Sequence, residues 1–483
     1  MVYYGVLSKG CERCRQRKIK CDQQRPGCRR CEKSSAQCPG YRDLNEVLFR
    51  DESKRIILMS RQTEQSIEES SIKPPICPTS KDSKPLAPSP FPSSISYPLS
   101  QPANELGANF FFARYTGPLN EAPFSSDFVD WLTQSYLFEN TLSSRVLKAA
   151  IEAVGMAGIS NTSHAPDVFS RSRARYCEAL AAMNQALHDP DQAISDATLM
   201  AITLCGFFET ATFESWDRYR RHWTAHVQAA TSLLELRGPA QFASERGGQL
   251  YLVARSQILS ACYQQHIPVP PGLVRTTFIF QCSTMRQQWQ QRRVASPGST
   301  CEISFRIVNL QAALNSTHSD FICTKAVEID GDLEAWRDGV LRLPSWQYCA
   351  TITSVDDGAG FDGKRHIYPN LWVAEAWNSW RTLRILVNQI IVRSTSSEDS
   401  GYSPVILSRV IEVIRQLSTD LCISACALAG TSRVISLIEP LCIVASEELN
   451  ARSVRSFAAE QLHRIDREMG IRQAGAMARQ ICI

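Results

Sequence analysis

Six cysteines in the first forty residues constrain this chain more than anything else in it. Cys11, Cys14, Cys21, Cys28, Cys31 and Cys38 follow C-x2-C-x6-C-x6-C-x2-C-x6-C, two copies of C-x2-C-x6-C. Thiolates at this spacing suit tetrahedral zinc. Arg15, Arg17, Lys18 and Lys20 fill the gap between Cys14 and Cys21, and such a basic run suits phosphate. One tetrahedral zinc takes four ligands, and no histidine lies before His164. Either one zinc is bound with two thiols to spare, or two zincs share two bridging thiolates. The internal repeat favours sharing, with the first cysteine of each half, Cys11 and Cys28, as the bridges.

Charge agrees. From Lys9 to Arg42 there are eleven Lys or Arg against three Asp or Glu, a formal +8 on a chain whose total is +4. The remaining residues therefore sum to −4, and the basic charge is local, as a nucleic-acid footprint on one module requires. A disulfide knot is the rival use of clustered cysteines. The opening residues MVYYGVLSKGC lack the apolar run of a secretory signal, and the other twelve cysteines are scattered through apolar stretches, as reduced core thiols are.

CERCRQRKIKCDQQRPGCRRCEKSSAQC resembles the fungal binuclear zinc-cluster (Zn2Cys6) transcription factors. All six cysteines fall on that family's pattern, as do Arg17-Lys18 and Pro26. The resemblance implies two short helices around a core of two Zn2+, with Cys11 and Cys28 bridging. It places Lys18 where the family reads guanines of a CGG half-site in the major groove. Arg15, Arg17 and Lys20 complete the expected DNA contacts.

Composition shifts twice further along. From Lys73 to Pro102 nine of thirty residues are Pro and seven are Ser, an extended linker by composition. The expected division is a Zn2Cys6 module at 9–42, a short basic, helical extension at 43–72, a Pro/Ser-rich disordered linker at 73–104 and an all-α regulatory domain at 105–483. A dimerising coiled coil is not supported in the extension. Leu44 at a and Val47 at d are followed by Asp51, Lys54, Leu58, Arg61 and Gln65, which breaks the heptad after one repeat.

Beyond Glu105 helical periodicity dominates. Phe169, Tyr176, Leu180, Met183 and Leu187 form one stripe. Trp223, Val227, Ala230 and Leu234 form another, which Gly238-Pro239 should stop. Val146, Ala150, Ile151 and Val154 give a third, and Trp372, Ala376, Trp380, Leu383 and Val387 a fourth. The apolar stretch from Ala197 to Phe208, which Glu209 ends, is too short for a membrane span and is expected as a core helix. HWTAHVQAATSLLELRGPAQF and GGQLYLVARSQIL resemble the fungal-specific transcription-factor domain of the sterol-regulator and sexual-development-regulator type. IDGDLEAWRDGVLRLPSW and PNLWVAEAWNSWRTLRILVNQII fit the same class. The resemblance implies a helical regulatory domain, in some relatives a ligand sensor or activation region.

Other candidate sites favour plain packing. His222 and His226 lie four apart on one helix, but HWTAH lacks the glutamate of H-E-x-x-H. Cys422 and Cys426 share that spacing among Leu421, Ile423 and Ala425, where buried thiols are common. There is no G-x-G-x-x-G after a strand, no P-loop and no G-x-S-x-G, so no enzyme is expected. The expectation is a nuclear, sequence-specific transcription factor of RNA polymerase II genes. Its partners are double-stranded DNA and the transcription machinery, with no membrane, and any homodimer should form through the helical domain. The resemblance implies, as for many relatives of this length, a regulator of one gene cluster, often for secondary metabolism. The alternatives are a zinc-stabilised protein-interaction scaffold that never reads DNA, and an enzyme, for which no residue set argues.

Overall fold

A computed structural model describes residues 11–17, 19–22, 24, 27–34, 37–39, 101–116, 126–291, 298–314, 318–352, 360–395 and 404–481. They fall into two units, one within residues 1–61 and the other within 62–483. The extension at 43–72 and nearly all of the linker lie outside the described residues, as do Lys18 and Pro26.

The small unit has two helices of about one turn each, α1 (Glu12–Gln16) and α2 (Arg29–Glu32). Helices this short do not persist alone. Their core consists of Cys11, Cys14, Cys28 and Cys31, with Cys21 and Cys38 packed against it.

Among its described residues the large unit is helical apart from one hairpin. In chain order it contains α3 (Ala103–Tyr115), α4 (Ser126–Leu137), α5 (Leu142–Ser163), α6 (Pro166–Leu187), α7 (Pro190–Ala193), α8 (Asp196–Ala211), α9 (Trp216–Arg237), α10 (Glu245–Gln265), α11 (Pro271–Cys282) and α12 (Thr284–Gln291). After these come α13 (Gly298–Ala313), α14 (Ser319–Leu341), β1 (Cys349–Ile352), β2 (Lys364–Ile367), α15 (Leu371–Thr395), α16 (Pro404–Ala425), α17 (Ile438–Ser446), α18 (Arg452–Met469) and α19 (Arg472–Gln480). Side-chain caps fix several starts. Thr141 accepts from the Ser144 amide at 3.1 Å, Ser195 from Thr198 at 3.2 Å and Ser244 from Gly247 at 3.1 Å. Gly238, at φ 54°, ends α9 where the sequence predicts a stop. The strands are antiparallel, with Cys349 opposite Ile367 and Ile352 opposite Lys364.

Two apolar cores result. The first is built mainly from α3 to α11 around α5, which packs on α3, α6 and α8. Gly107 and Gly155 let α3 and α5 touch backbone to backbone, since a Cβ on Gly155 would fall 1.7 Å from the Gly107 carbonyl oxygen. The second core gathers α13 to α19 around α15. There the indoles of Trp377 and Trp380 donate to the carbonyls of Trp346 (3.0 Å) and Leu333 (2.8 Å).

Polar bonds cross the seam between the cores. The Tyr115 hydroxyl donates to the Met469 carbonyl at 2.7 Å. Asn161 Nδ2 donates to Gly470 O across the seam (2.7 Å) and to Ala211 O within the first core (2.8 Å), and Ser260 donates to a Glu439 carboxylate oxygen at 2.8 Å. Tyr115, Phe207, Trp216 and Tyr263 pack against both cores. Among the described residues no helix is long and apolar enough to cross a membrane.

Candidate metal centre and basic surface

The C-x-x-C pairs set the geometry. Cys28 has extended backbone (φ −79°, ψ 144°) at the N-cap of α2, and its Sγ accepts from the Cys31 amide at 3.4 Å. Sulfur thus sits where a capping serine oxygen would, at the start of the helical turn. Cys11 repeats the device before α1, accepting from the Cys14 amide. Three residues on, Cys14 and Cys31 turn their thiols toward the same point. Cys21 and Cys38, both half-buried, arrive from the segments after each helix. Asp22 fastens the intervening loop to α2 by accepting from the Arg29 amide at 3.2 Å. Gly27 leaves room beside Cys38, whose Cβ would lie 3.3 Å from a Cβ at position 27.

The thiols form two sets of four, Cys11-Cys14-Cys21-Cys28 and Cys11-Cys28-Cys31-Cys38, each with all its sulfurs within 4.8 Å of one another. Cys11 and Cys28 belong to both. Four ligands about 2.3 Å from a tetrahedral zinc lie about 3.8 Å apart. The sulfurs of Cys11 and Cys28 are 3.7 Å apart, those of Cys11 and Cys31 3.8 Å, and those of Cys14 and Cys28 3.7 Å. Without a cation such a cluster resists ionisation. Lost hydration, then neighbouring thiols, push the Cys14 thiol up and Cys31 up to about 12. A bound dication reverses that balance, so the donor set and its spacing both fit zinc.

Basic side chains surround this core. Arg17 and Lys20 are exposed. Lys18 and the side chain of Arg15 lie outside the described part, so the structure brings neither to a defined place. Arg29, Arg30 and Lys33 are also exposed, on or beside α2. They were not singled out from sequence, although CRRC in the second repeat carries the signal.

Residues 9–46 match the fungal Zn(2)-Cys(6) binuclear cluster domain, a domain that binds two zinc ions, and residues 113–267 match the fungal specific transcription factor domain. The chain thus carries a fungal zinc-cluster domain and a second domain named for fungal transcription factors. Two curated relatives share the cluster domain. White-opaque regulator 2 of Candida albicans is 50% identical over 38 residues, 8% of each chain. The aspercryptin biosynthesis cluster-specific transcription regulator atnN of Emericella nidulans is 51% identical over 40 residues, 8% of this chain and 7% of its own. The matches thus span under a tenth of either relative. No solved structure matches. Both domains and both relatives belong to transcription regulators, not enzymes. The phrases at 222–242 and 247–259 fall inside the matched helical region; those at 329–346 and 369–391 fall outside it.

In that helical region the histidine pair is absorbed by packing. His226 is buried, and its Nε2 lies 2.8 Å from the Tyr176 hydroxyl, which also donates to Glu209 at 2.8 Å. His222 reaches the same carboxylate at 3.2 Å. Burial alone would push the Glu209 carboxyl up; His222, His226 and Tyr176 overcome it and hold the group below the ordinary range. Glu209 ends the apolar run but not the helix, since α8 continues to Ala211. Cys422 is buried and its thiol donates to the Val454 carbonyl at 3.9 Å, while Cys426 bonds back to the Cys422 carbonyl at 3.6 Å. Among the described residues, the cysteine sets of the small unit are the groups suited to a metal ion.

Proposed function

We propose that this chain is a nuclear, sequence-specific DNA-binding transcription factor acting on RNA polymerase II genes, and that it reads CGG-type half-sites through its zinc cluster. Cys11, Cys14, Cys21, Cys28, Cys31 and Cys38 hold the two zincs, with Cys11 and Cys28 bridging. The pair of four-thiol sets sharing two members, at the sulfur spacing zinc requires, carries this assignment. Lys18 and Arg17 reach base edges, since Lys or Arg to guanine O6 and N7 is the commonest specific contact. Arg15 and Lys20 anchor phosphates, supported by the local +8. In this reading residues 9–42 form the DNA-binding module, 43–104 extension and linker, and 105–483 the regulatory domain, through which any homodimer forms and the transcription machinery is engaged. Likeness to a regulator named for one biosynthesis cluster supports a secondary-metabolite target.

Binding of the zinc-loaded chain to CGG-containing and scrambled duplexes tests this. Lys18→Ala should cost about 1–3 kcal/mol on the specific duplex and relax base choice there. Lys20→Ala should weaken both duplexes evenly and lower the salt slope by about one. Equal losses on both duplexes for Lys18→Ala would remove Lys18 as the base reader. Equal affinity of the unmodified protein for both duplexes would remove the reading itself.

A further inference from the structure

A cavity of about 380 Å3 opens where the end of α10 meets the ends of α13 and α15 and the start of α14. That volume lies within the range of small-molecule sites. Its wall divides by chemistry. Ala312, Leu314 and Ile322 make an apolar side; Gln311, His266 and Arg393 make a polar one.

The polar side is fixed from behind. Gln311 is buried, hydrogen-bonds Tyr263, and brings Nε2 to 3.0 Å from His266 Nδ1. This contact holds the His266 ring in place at the cavity wall. His266 itself holds a left-handed backbone (φ 53°), which fixes the turn after α10. Ser319 donates to the Ser394 carbonyl at 2.5 Å, pinning the start of α14 against the end of α15.

Arg393 is exposed at this wall, and among the described residues it has no ion-pair or hydrogen-bond partner. Some arginines of the large unit's helices pair with carboxylates, as Arg237 does with Asp196 and Arg384 with Asp330, and others with backbone carbonyls, as Arg415 does with Leu449. A guanidinium that no carboxylate among the described residues pairs matches one negative charge. Among the described residues no second lysine or arginine lines the cavity to match a dianion. The planar fork of guanidinium suits a planar carboxylate, and the facing apolar wall suits a hydrocarbon body.

We propose that this cavity binds a small organic carboxylate, its head on Arg393 and its apolar body against Ala312, Leu314 and Ile322. The proposal is independent of DNA recognition. The wall draws on α10 of the first core and on α13 to α15 of the second, so an occupant ties the two cores together.

Linear carboxylates from acetate to octanoate, with the matching primary alcohols, test it on the zinc-loaded full chain by calorimetry and thermal unfolding. Affinity should rise roughly fourfold per methylene until the apolar side is filled. Each acid should bind at least about tenfold tighter than its alcohol. Arg393→Gln should remove that acid preference while leaving alcohol binding and the ligand-free midpoint unchanged. Ala312→Phe should abolish both. Equal affinity of acids and alcohols, full acid binding by Arg393→Gln, or no saturable binding of any acid below about 10 mM would each overturn the proposal. Should Ala312→Phe not fold, Arg393→Gln decides alone, because its side chain is exposed.

Discussion

Cys28 and Cys38 differ in how many of the four-thiol sets each joins, and removing them one at a time separates a shared cluster from a single site. Cys28 belongs to both four-thiol sets, Cys38 to one. A structural zinc contributes about 10–16 kcal/mol, so an even share is roughly 2.5–4 kcal/mol per terminal thiolate. Cys38→Ala leaves the Cys11-Cys14-Cys21-Cys28 set complete and should weaken one zinc by about 100- to 1,000-fold. Cys28→Ala leaves three thiols in each set and strips the sulfur cap from α2, whose Cys31 amide then loses its partner. Both zincs should weaken by at least that factor, and the module should unfold with them. Zinc per chain after dialysis against a mild chelator, with alkylation counting free thiols, reads the result. The expected values are two zincs for the unmodified chain, one for Cys38→Ala and fewer than one for Cys28→Ala. If Cys28→Ala retains one tightly held zinc, or the unmodified chain holds one zinc with two alkylatable thiols, the shared cluster is refuted.

The helical domain yields two further expectations. Burial pushes His226 down from 6.5 to about 4, so its contribution is present above pH 6.5 and lost as pH falls toward 4, by up to about 3 kcal/mol. Burial pushes Glu439 up from 4.5 to about 7, so its contribution is present below pH 4.5 and lost as pH rises through 7. The two slopes oppose each other between pH 4.5 and 6.5. Denaturant unfolding across pH 4–8 should therefore steepen in the acid direction for Glu439→Gln and flatten there for His226→Phe; unchanged slopes would count against these assignments. Asn161→Ala should cost about 2–4 kcal/mol by stranding the Ala211 and Gly470 carbonyls, and a loss under about 1 kcal/mol would show that water replaces the amide.

What the sequence made legible was what covalent spacing controls. C-x-x-C places two thiols within one helical turn, so both halves of the cysteine core follow from counting residues. Gly238-Pro239 stops α9 by local backbone chemistry. Long-range partnership was not legible. Glu209 looked like the end of an apolar run, and it is buried only because α6 and α9 bring Tyr176, His222 and His226 to it. The stripe Trp372, Ala376, Trp380, Leu383 and Val387 caught part of the buried surface of α15. That helix buries residues around most of its circumference, including Trp377 and Arg381, so periodicity there loses its meaning. The hairpin escaped notice because its strands are four residues long and β1 is mostly exposed. The cavity is made from the ends of four helices, and no local pattern encodes such a meeting.

The seam explains why a ligand at that cavity has leverage. Each core is apolar; across the seam Tyr115, Phe207, Trp216 and Tyr263 pack against both, and Tyr115, Asn161 and the Ser260–Glu439 pair add hydrogen bonds. Such bonds contribute about 0.5–1.5 kcal/mol each, less than burial of one large apolar side chain. Glu439 weakens the junction further near neutrality, where its buried carboxyl begins to ionise. A ligand shifts an equilibrium only by its differential affinity for the two states. The cavity has walls from both cores and exists only while they are joined. An occupant at 100 times its Kd would add about 2.7 kcal/mol to the joined state, as much as two or three of the seam's hydrogen bonds. Occupancy of that site should therefore add to the hydrogen bonds and aromatic packing that already hold the two cores together.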